Sequence, residues 1–235
     1  MSAVTFWMYP ASLYDAGGTK PRIGTYSDID DPWDAPDGIA TKVKQRCDSA
    51  VGTYTGYSSY GLTAPTSGVT INWIRVHYHI WRECSGGVAN WNGDQEFAGS
   101  IRPAAGTTYY TSTSRTIVFN GGAASPLVTS GVHAVKTLPH YNTSGGSWSD
   151  GASGPAHVYW EWASDPSGGS WDVTKLQALL VSFAFDAAKG SPNALFSLTA
   201  YNAGVEPGVC VTLIGVEVNA NSPARATRWP FALLG

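Results

Sequence analysis

The chain has 235 residues, a formal net charge of −3 and only 13% charged side chains. It has no basic cluster, which excludes nucleic acid as a partner, and no apolar run near the roughly 20 residues of a membrane span, which excludes a membrane helix. The charged share is about half the roughly 25% of an average soluble domain, while 27 Gly, 10 Trp and 12 Tyr are many. Such a surface suits a protein partly covered by neighbours.

At this length a single β-sandwich domain over 1–235 is expected. It would bury roughly 70% of its unfolded surface, so it needs no disulfide or metal to fold, and no cofactor is expected. In chain order, strand candidates run Val4 to Tyr9, Ile71 to Cys84, Glu96 to Arg102, Thr116 to Phe119, Val132 to Leu138, His157 to Trp162, Leu179 to Phe185, Leu195 to Tyr201 and Val209 to Val218. Each is bounded by Gly, Pro, Ser, Asn or Asp, the residues that supply turns. Almost no helical periodicity intervenes, which predicts an all-β fold, an antiparallel jelly-roll-like sandwich.

The opening "MSAVTFWMYPASLYDAGG" has neither the positive start nor the long apolar core of a secretory signal. Cys47, Cys84 and Cys210 are odd in number and far apart, consistent with folding in a reducing cytoplasm. The segment from about 10 to 65 is expected to be an extended N-terminal excursion. Within it, "TYSDIDDPWDAPDGIATKVKQ" holds five aspartates and two prolines. It does not meet the Asp-x-Asp-x-Asp-Gly pattern of a calcium loop, so an ordered surface excursion is expected.

Two stretches raise chemistry. "VHYHIWREC" places His77, His79 and Glu83 at His-x-His-x3-Glu spacing, similar to the first metal motif of the cupins. A strand period of two puts all three on one face, as ligation requires. The opposite face, Ile74, Val76, Tyr78 and Ile80, is the evident core face, so the histidines point away from the sandwich interior with Arg75 and Trp81. The second cupin motif is absent, and a polar, partly covered strand face is the expectation. In "HVYWEWASD", Glu161 lies between Trp160 and Trp162. A glycosidase needs a second carboxylate at a fixed distance, and none shares that strand. The expectation is the Trp pair in the core and Glu161 outside. His133, His140 and His157 are isolated, and neither a nucleophile elbow nor a phosphate-cradling loop is present. Nothing here asks for an enzyme.

"SGGSWDVTKLQALLVSFAFDA" combines a helical turn near residues 172–178 with a strand. Asp172 can cap the turn by accepting from the amide of Thr174 or Lys175. Trp171 and Leu176 would then plug an open end of the sandwich. This order of Pro166, Gly168, Trp171, Asp172, Leu176, Leu179 and the run Val181 to Phe185, with "VCVTLIGVEVNAN" as a closing strand, resembles bacteriophage virion structural proteins. Those are jelly-roll, concanavalin-like head decoration, head-fibre or minor tail proteins. Their pattern has a Gly soon after the Leu-x-x-Leu turn, where this chain has Val181-Ser182. The resemblance implies a fold and a setting, with no catalytic residues.

The apolar chain ends agree with such a setting. Phe6 and Trp7, and then Trp229, Phe231, Leu233 and Leu234 in a C-terminal tail of about 220–235, are the expected subunit contacts if the ends dock on neighbours; the other reading is that they lie on the chain's own core. The function expected is a non-enzymatic virion protein, made and folded in the host cytoplasm, that stabilises the particle by contact. Its partners would be copies of itself, as a homo-oligomer with a trimer the first guess, and major capsid or tail proteins. A second class stays open: a lectin-like module binding host surface polysaccharide through Trp91, Trp148 or Tyr141. A third, a metal-dependent cupin enzyme, rests on His77, His79 and Glu83 alone.

Overall fold

Period-two alternation of apolar side chains is the main organising signal, and the computed structural model turns it into two sheets packed face to face. Residues 2–15, 22–46, 55–62, 69–84, 94–103, 110–111, 117–120, 139–148, 153–186 and 208–222 are described. Their strands are β1 (Ser2–Met8), β2 (Pro10–Asp15), β3 (Arg22–Ile23), β4 (Val43–Arg46), β5 (Thr55–Leu62), β6 (Thr70–Cys84) and β7 (Asp94–Arg102). There follow β8 (Tyr110–Thr111), β9 (Ile117–Asn120), β10 (His140–Asn142), β11 (Ser147–Trp148), β12 (Ala156–Trp162), β13 (Leu180–Asp186) and β14 (Gly208–Ser222). A 3-10 turn covers Tyr26–Asp28, and the one described α-helix, α1, is Val173–Gln177.

The larger sheet is centred on the antiparallel pair β6 and β14. The free edge of β6 is shared by β12, antiparallel, and β10, parallel, with β11 beyond β10. The free edge of β14 is shared by β1 and by β4, which carries β3. In the smaller sheet β13 is central between β5 and β7, with β2 outside β5 and both β8 and β9 against β7.

The core lies between the sheets. Ile74, Val76, Tyr78 and Ile80 of β6 are fully buried, as are Val158 of β12 and Ile214, Val216, Val218 and Ala220 of β14. They face Ile101, Val181 and Phe183 of the smaller sheet. Tyr78 ties the layers together, its Oη donating to the carbonyl of Ser182 at 2.7 Å. Beside it Trp160 packs edge-on, ring centroids 5.4 Å apart. Gly99 makes room for both rings: a Cβ there would stand 2.5 Å from a Trp160 ring carbon and 3.0 Å from Tyr78.

Helix α1 forms as its cap predicts, with Asp172 Oδ1 accepting from the Lys175 amide at 2.8 Å. Trp171 and Leu176 are buried at the sandwich end, and Trp171 Nε1 donates to the Trp162 carbonyl at 2.9 Å. The preceding turn is locked by Asp165, which pairs with Lys175 Nζ at 2.8 Å and accepts from Ser167. Burial alone would push the Asp165 carboxyl up, but Ser167 and Lys175 hold it below its ordinary value.

The excursion expected from about 10 to 65 is corrected. β2 and β5 belong to the smaller sheet and β3 and β4 to the larger, and among the described residues of this segment 24–42 form a strap outside regular strands. These strands escape the alternation test because they are short, or, like β5 (TGYSSYGL), rich in Gly and Ser. The strands expected at Val132 to Leu138 and Leu195 to Tyr201 lie outside the described residues.

Gly99→Ala drives a methyl group into the Trp160 and Tyr78 rings. It is expected to destabilise the fold by about 1–3 kcal/mol, the usual cost of overpacking, read as a lowered urea midpoint with an unchanged slope.

Candidate functional site: a covered histidine and aromatic face

With Ile74 to Ile80 turned inward, alternation puts Arg75, His77, His79, Trp81 and Glu83 on the outer face of the larger sheet. Cross-strand register extends this set. His157, Tyr159 and Glu161 of β12 stand opposite His79, His77 and Arg75. On β14, Gly215 and Glu217 stand opposite His77 and Arg75, and Trp7 of β1 is opposite Glu217. Three strands thus pool their polar and aromatic side chains on one surface.

The strap crosses this surface. Ile29, fully buried, accepts from the Ile214 amide through its carbonyl at 3.1 Å, and the Thr41 carbonyl accepts from Thr212 Oγ1 at 2.8 Å. Between these anchors the Trp33 amide donates to Tyr9 Oη at 2.8 Å. The Trp33 ring stacks on Trp7, centroids 4.9 Å apart and planes within 6°. It also contacts His77 and His79 at 4.9 Å each, and His157 at 4.6 Å. Trp7 can lie this close to the sheet because position 215 is glycine; a Cβ there would be 3.1 Å from the indole.

Beneath Trp33 the imidazoles form a chain. His77 Nδ1 and His157 Nε2 are 2.9 Å apart, and His77 Nε2 is 3.1 Å from Glu217 Oε2. Glu217 also lies 3.6 Å from Arg75 Nη1, while Arg75 Nε donates to Glu161 at 2.8 Å. The Arg75 guanidinium stacks on Trp73, 4.1 Å from the ring centre. His79 is half-buried, and that burial lowers its pKa below the ordinary histidine value.

Further along β6, Glu83 is buried between two lysines, Oε2 2.5 Å from Lys42 Nζ and Oε1 3.4 Å from Lys44 Nζ. Lys44 is itself 1% exposed, so the pair is fully withdrawn from water. Burial, then the Glu83 charge, pushes the neighbouring Cys210 thiol well up, which makes it a poor nucleophile. Trp81 closes the cluster, edge-on to Trp148 at 6.3 Å, and Trp148 meets Tyr141 at 5.2 Å.

His77, His79 and Glu83 do share a face, as their spacing predicts, but they do not act together. Both Glu83 oxygens are turned to lysines and both His77 nitrogens are engaged. Among the described residues no three metal-binding side chains converge. The expected polar and partly covered face is what forms. Glu161 is exposed and Trp160 buried, as alternation predicts. The structure does bring a second carboxylate, Glu217, to the same face, but Arg75 sits with both. Of the expected subunit contacts, Phe6 packs against the core and Trp7 against Trp33. Trp229, Phe231, Leu233 and Leu234 lie outside the described residues, as does Trp91.

Sequence reasoning missed His157, Trp33, Glu217 and the two lysines as members of this face. One signal was available: Arg75-His77-His79 and His157-Tyr159-Glu161, read antiparallel, match histidine to histidine and arginine to glutamate. No protein-family model matches the chain, and comparison with curated proteins returns no match.

Removing the Glu83 carboxylate takes away the charge that faces Lys42 and the buried Lys44. Glu83→Ala is expected to cost about 3–5 kcal/mol, whereas Glu83→Leu with Lys44→Met should recover most of it in equilibrium unfolding.

Proposed function

We propose that this chain is a non-enzymatic structural protein of a bacteriophage virion, a capsid decoration or head-fibre protein, or else a minor tail protein. The observation that carries this reading is the way charge is used on the outer face of the larger sheet. Glu83 is held by Lys42 of the strap and Lys44 of β4, Glu161 and Glu217 share Arg75 of β6, and rings on this face pack on one another. Side chains committed in this way supply cohesion; they hold no acid, base or nucleophile ready for turnover. The Trp171, Asp172 and Leu176 plug, with β13 directly behind it, adds the likeness to virion jelly rolls, and the jelly-roll winding is part of the proposal. The partners are then copies of the chain, with a trimer the first expectation, and capsid or tail proteins, with assembly in the host cytoplasm.

One observation favours a second reading. Tyr141 and Trp148 form a half-buried pair on the β10–β11 hairpin beside an exposed turn, a platform on which a sugar ring could stack. This is the lectin-like alternative, in which the protein binds host surface polysaccharide.

Light scattering after gel filtration is expected to give a closed oligomer, with three chains the first expectation. Deleting Pro230 to Gly235 should abolish incorporation into particles while the circular dichroism of the fold persists. A stable monomer that retains host polysaccharide on a column, and loses it on Trp148→Ala, would replace the virion reading with the lectin one.

A further inference from the structure

β1 and β2 lie in different sheets, yet only Tyr9 separates them: Met8 ends β1 against β14, and Pro10 already pairs with Leu62 of β5. We propose that β1 is an exchange arm, which leaves its own sandwich at Tyr9 and seats on the β14 edge of a second copy, so that arms passed from chain to chain close the oligomer. The inference rests on the closed oligomer of the virion reading and names the segment that builds it.

The link is short for the distance it covers. Facing sheets stand about 10 Å apart, whereas two Cα steps reach at most about 7.6 Å. The strand ends must therefore be drawn toward one another at this corner. Both are fixed in place, Met8 in the core at 2% exposure and Pro10 buried. Pro10 also confines Tyr9 to extended backbone, which removes the conformers that would ease the crossing. The effect shows on the far side of the link, where β2 shifts register on β5 between Pro10 and Ser12 and again between Leu13 and Asp15.

The seat of β1, by contrast, is regular. Ser2 to Met8 oppose Ser222 to Val216 without a shift. On the inner side Val4, Phe6 and Met8 pack on the core. On the outer side Trp7 stacks on Trp33 and closes over Gly215. All of these contacts join the strand to β14, the strap and the core of one sandwich, and a strand of the same sequence from a second copy makes them equally well. Exchange therefore withdraws nothing: each core regains a Met8 and each Trp33 regains a Trp7.

What changes is the link alone. In the exchanged form Tyr9 no longer has to carry the chain from one sheet of a sandwich to the other, and β1 can run straight on into β2. A short hinge favours the exchanged form for this reason, and a longer hinge favours return of the arm to its own chain. Phe6 and Trp7, the N-terminal residues that the sequence marks as subunit contacts, then fill both descriptions, with the geometry of a core contact and a partner from another chain.

A disulfide placed across the seat reads which chain supplies the arm. Thr5 and Asn219 are directly opposed, and opposed residues of an antiparallel pair have Cα atoms about 4.5–5.5 Å apart, within the span of a disulfide. The full chain carrying Thr5→Cys and Asn219→Cys is oxidised and run on a denaturing gel without reductant, beside each single variant to set the background from Cys47, Cys84 and Cys210. A covalent oligomer above that background, of the size found by light scattering, is expected. A linked species with the mass of one chain would overturn the exchange. If that species comes from a light-scattering oligomer, the virion reading still stands; if it comes from a monomer, both fall. Should the cysteine pair fail to fold, inserting Gly-Ser-Gly-Ser between Tyr9 and Pro10 decides. The solution mass is then expected to fall to that of one chain, and an unchanged oligomer overturns the exchange.

Discussion

Strand β6 runs through the middle of the larger sheet with its inner face and part of its outer face out of water, and each face solves burial by different chemistry. Inward, Ile74, Val76, Tyr78 and Ile80 meet the opposite sheet and gain from apolar area in the ordinary way. Outward, His77, Trp81 and Glu83 are equally withdrawn, although two of them are polar. A polar group buried without partners costs about 1–3 kcal/mol or more, so this face depends on neighbours that answer its donors and acceptors. β12, β14, β1 and β4 answer His77 and Glu83, each in the register that β6 imposes, while the buried Trp81 Nε1 is left without a hydrogen-bond partner among the described residues.

The strap is a consequence of the same demand. Without it, the rings of Trp7, His77, His79 and His157 would lie open on the sheet as a contiguous patch. With Trp33 across them, the aromatic surface is shared within one chain. Its attachment combines a few carbonyl and hydroxyl bonds, one indole, the Lys42–Glu83 pair and Ile29, which lies in the core. The central strands are tied along their whole length.

Much of this was legible in the residues. The alternation of β6, β12, β13 and β14 fixed which side faces the core, and Asp172 announced α1 through a local bond. Those features are written in neighbouring positions. What was not legible depends on pairing across long separations. His157 reads as a lone histidine until β12 is laid against β6, eighty residues away along the chain. Lys44 reads as a surface charge until β4 is placed beside β14, and Glu83 until both lysines reach it. Trp33 sits in an acidic, proline-marked stretch whose composition gives no sign that its one indole is an anchor. The short strands β3 and β4 carry too few alternations to register at all.

The extra residue in β14 at Thr212 has a meaning beyond local geometry. Val211 opposes Ile80 and Ile214 opposes Tyr78, so inward-facing positions are three apart across this point instead of two. The bulge therefore reverses the parity of the strand: odd positions face the core before it and even positions after it. Cys210 joins Lys44 and Glu83 on the outside, while Ile214 and Val216 remain within, only because of that reversal. A chain shortened by one residue here would have to exchange inside for outside along one half of the strand. Relatives of this protein should therefore hardly ever lack residue 212, whose threonine hydroxyl also anchors the strap at the Thr41 carbonyl.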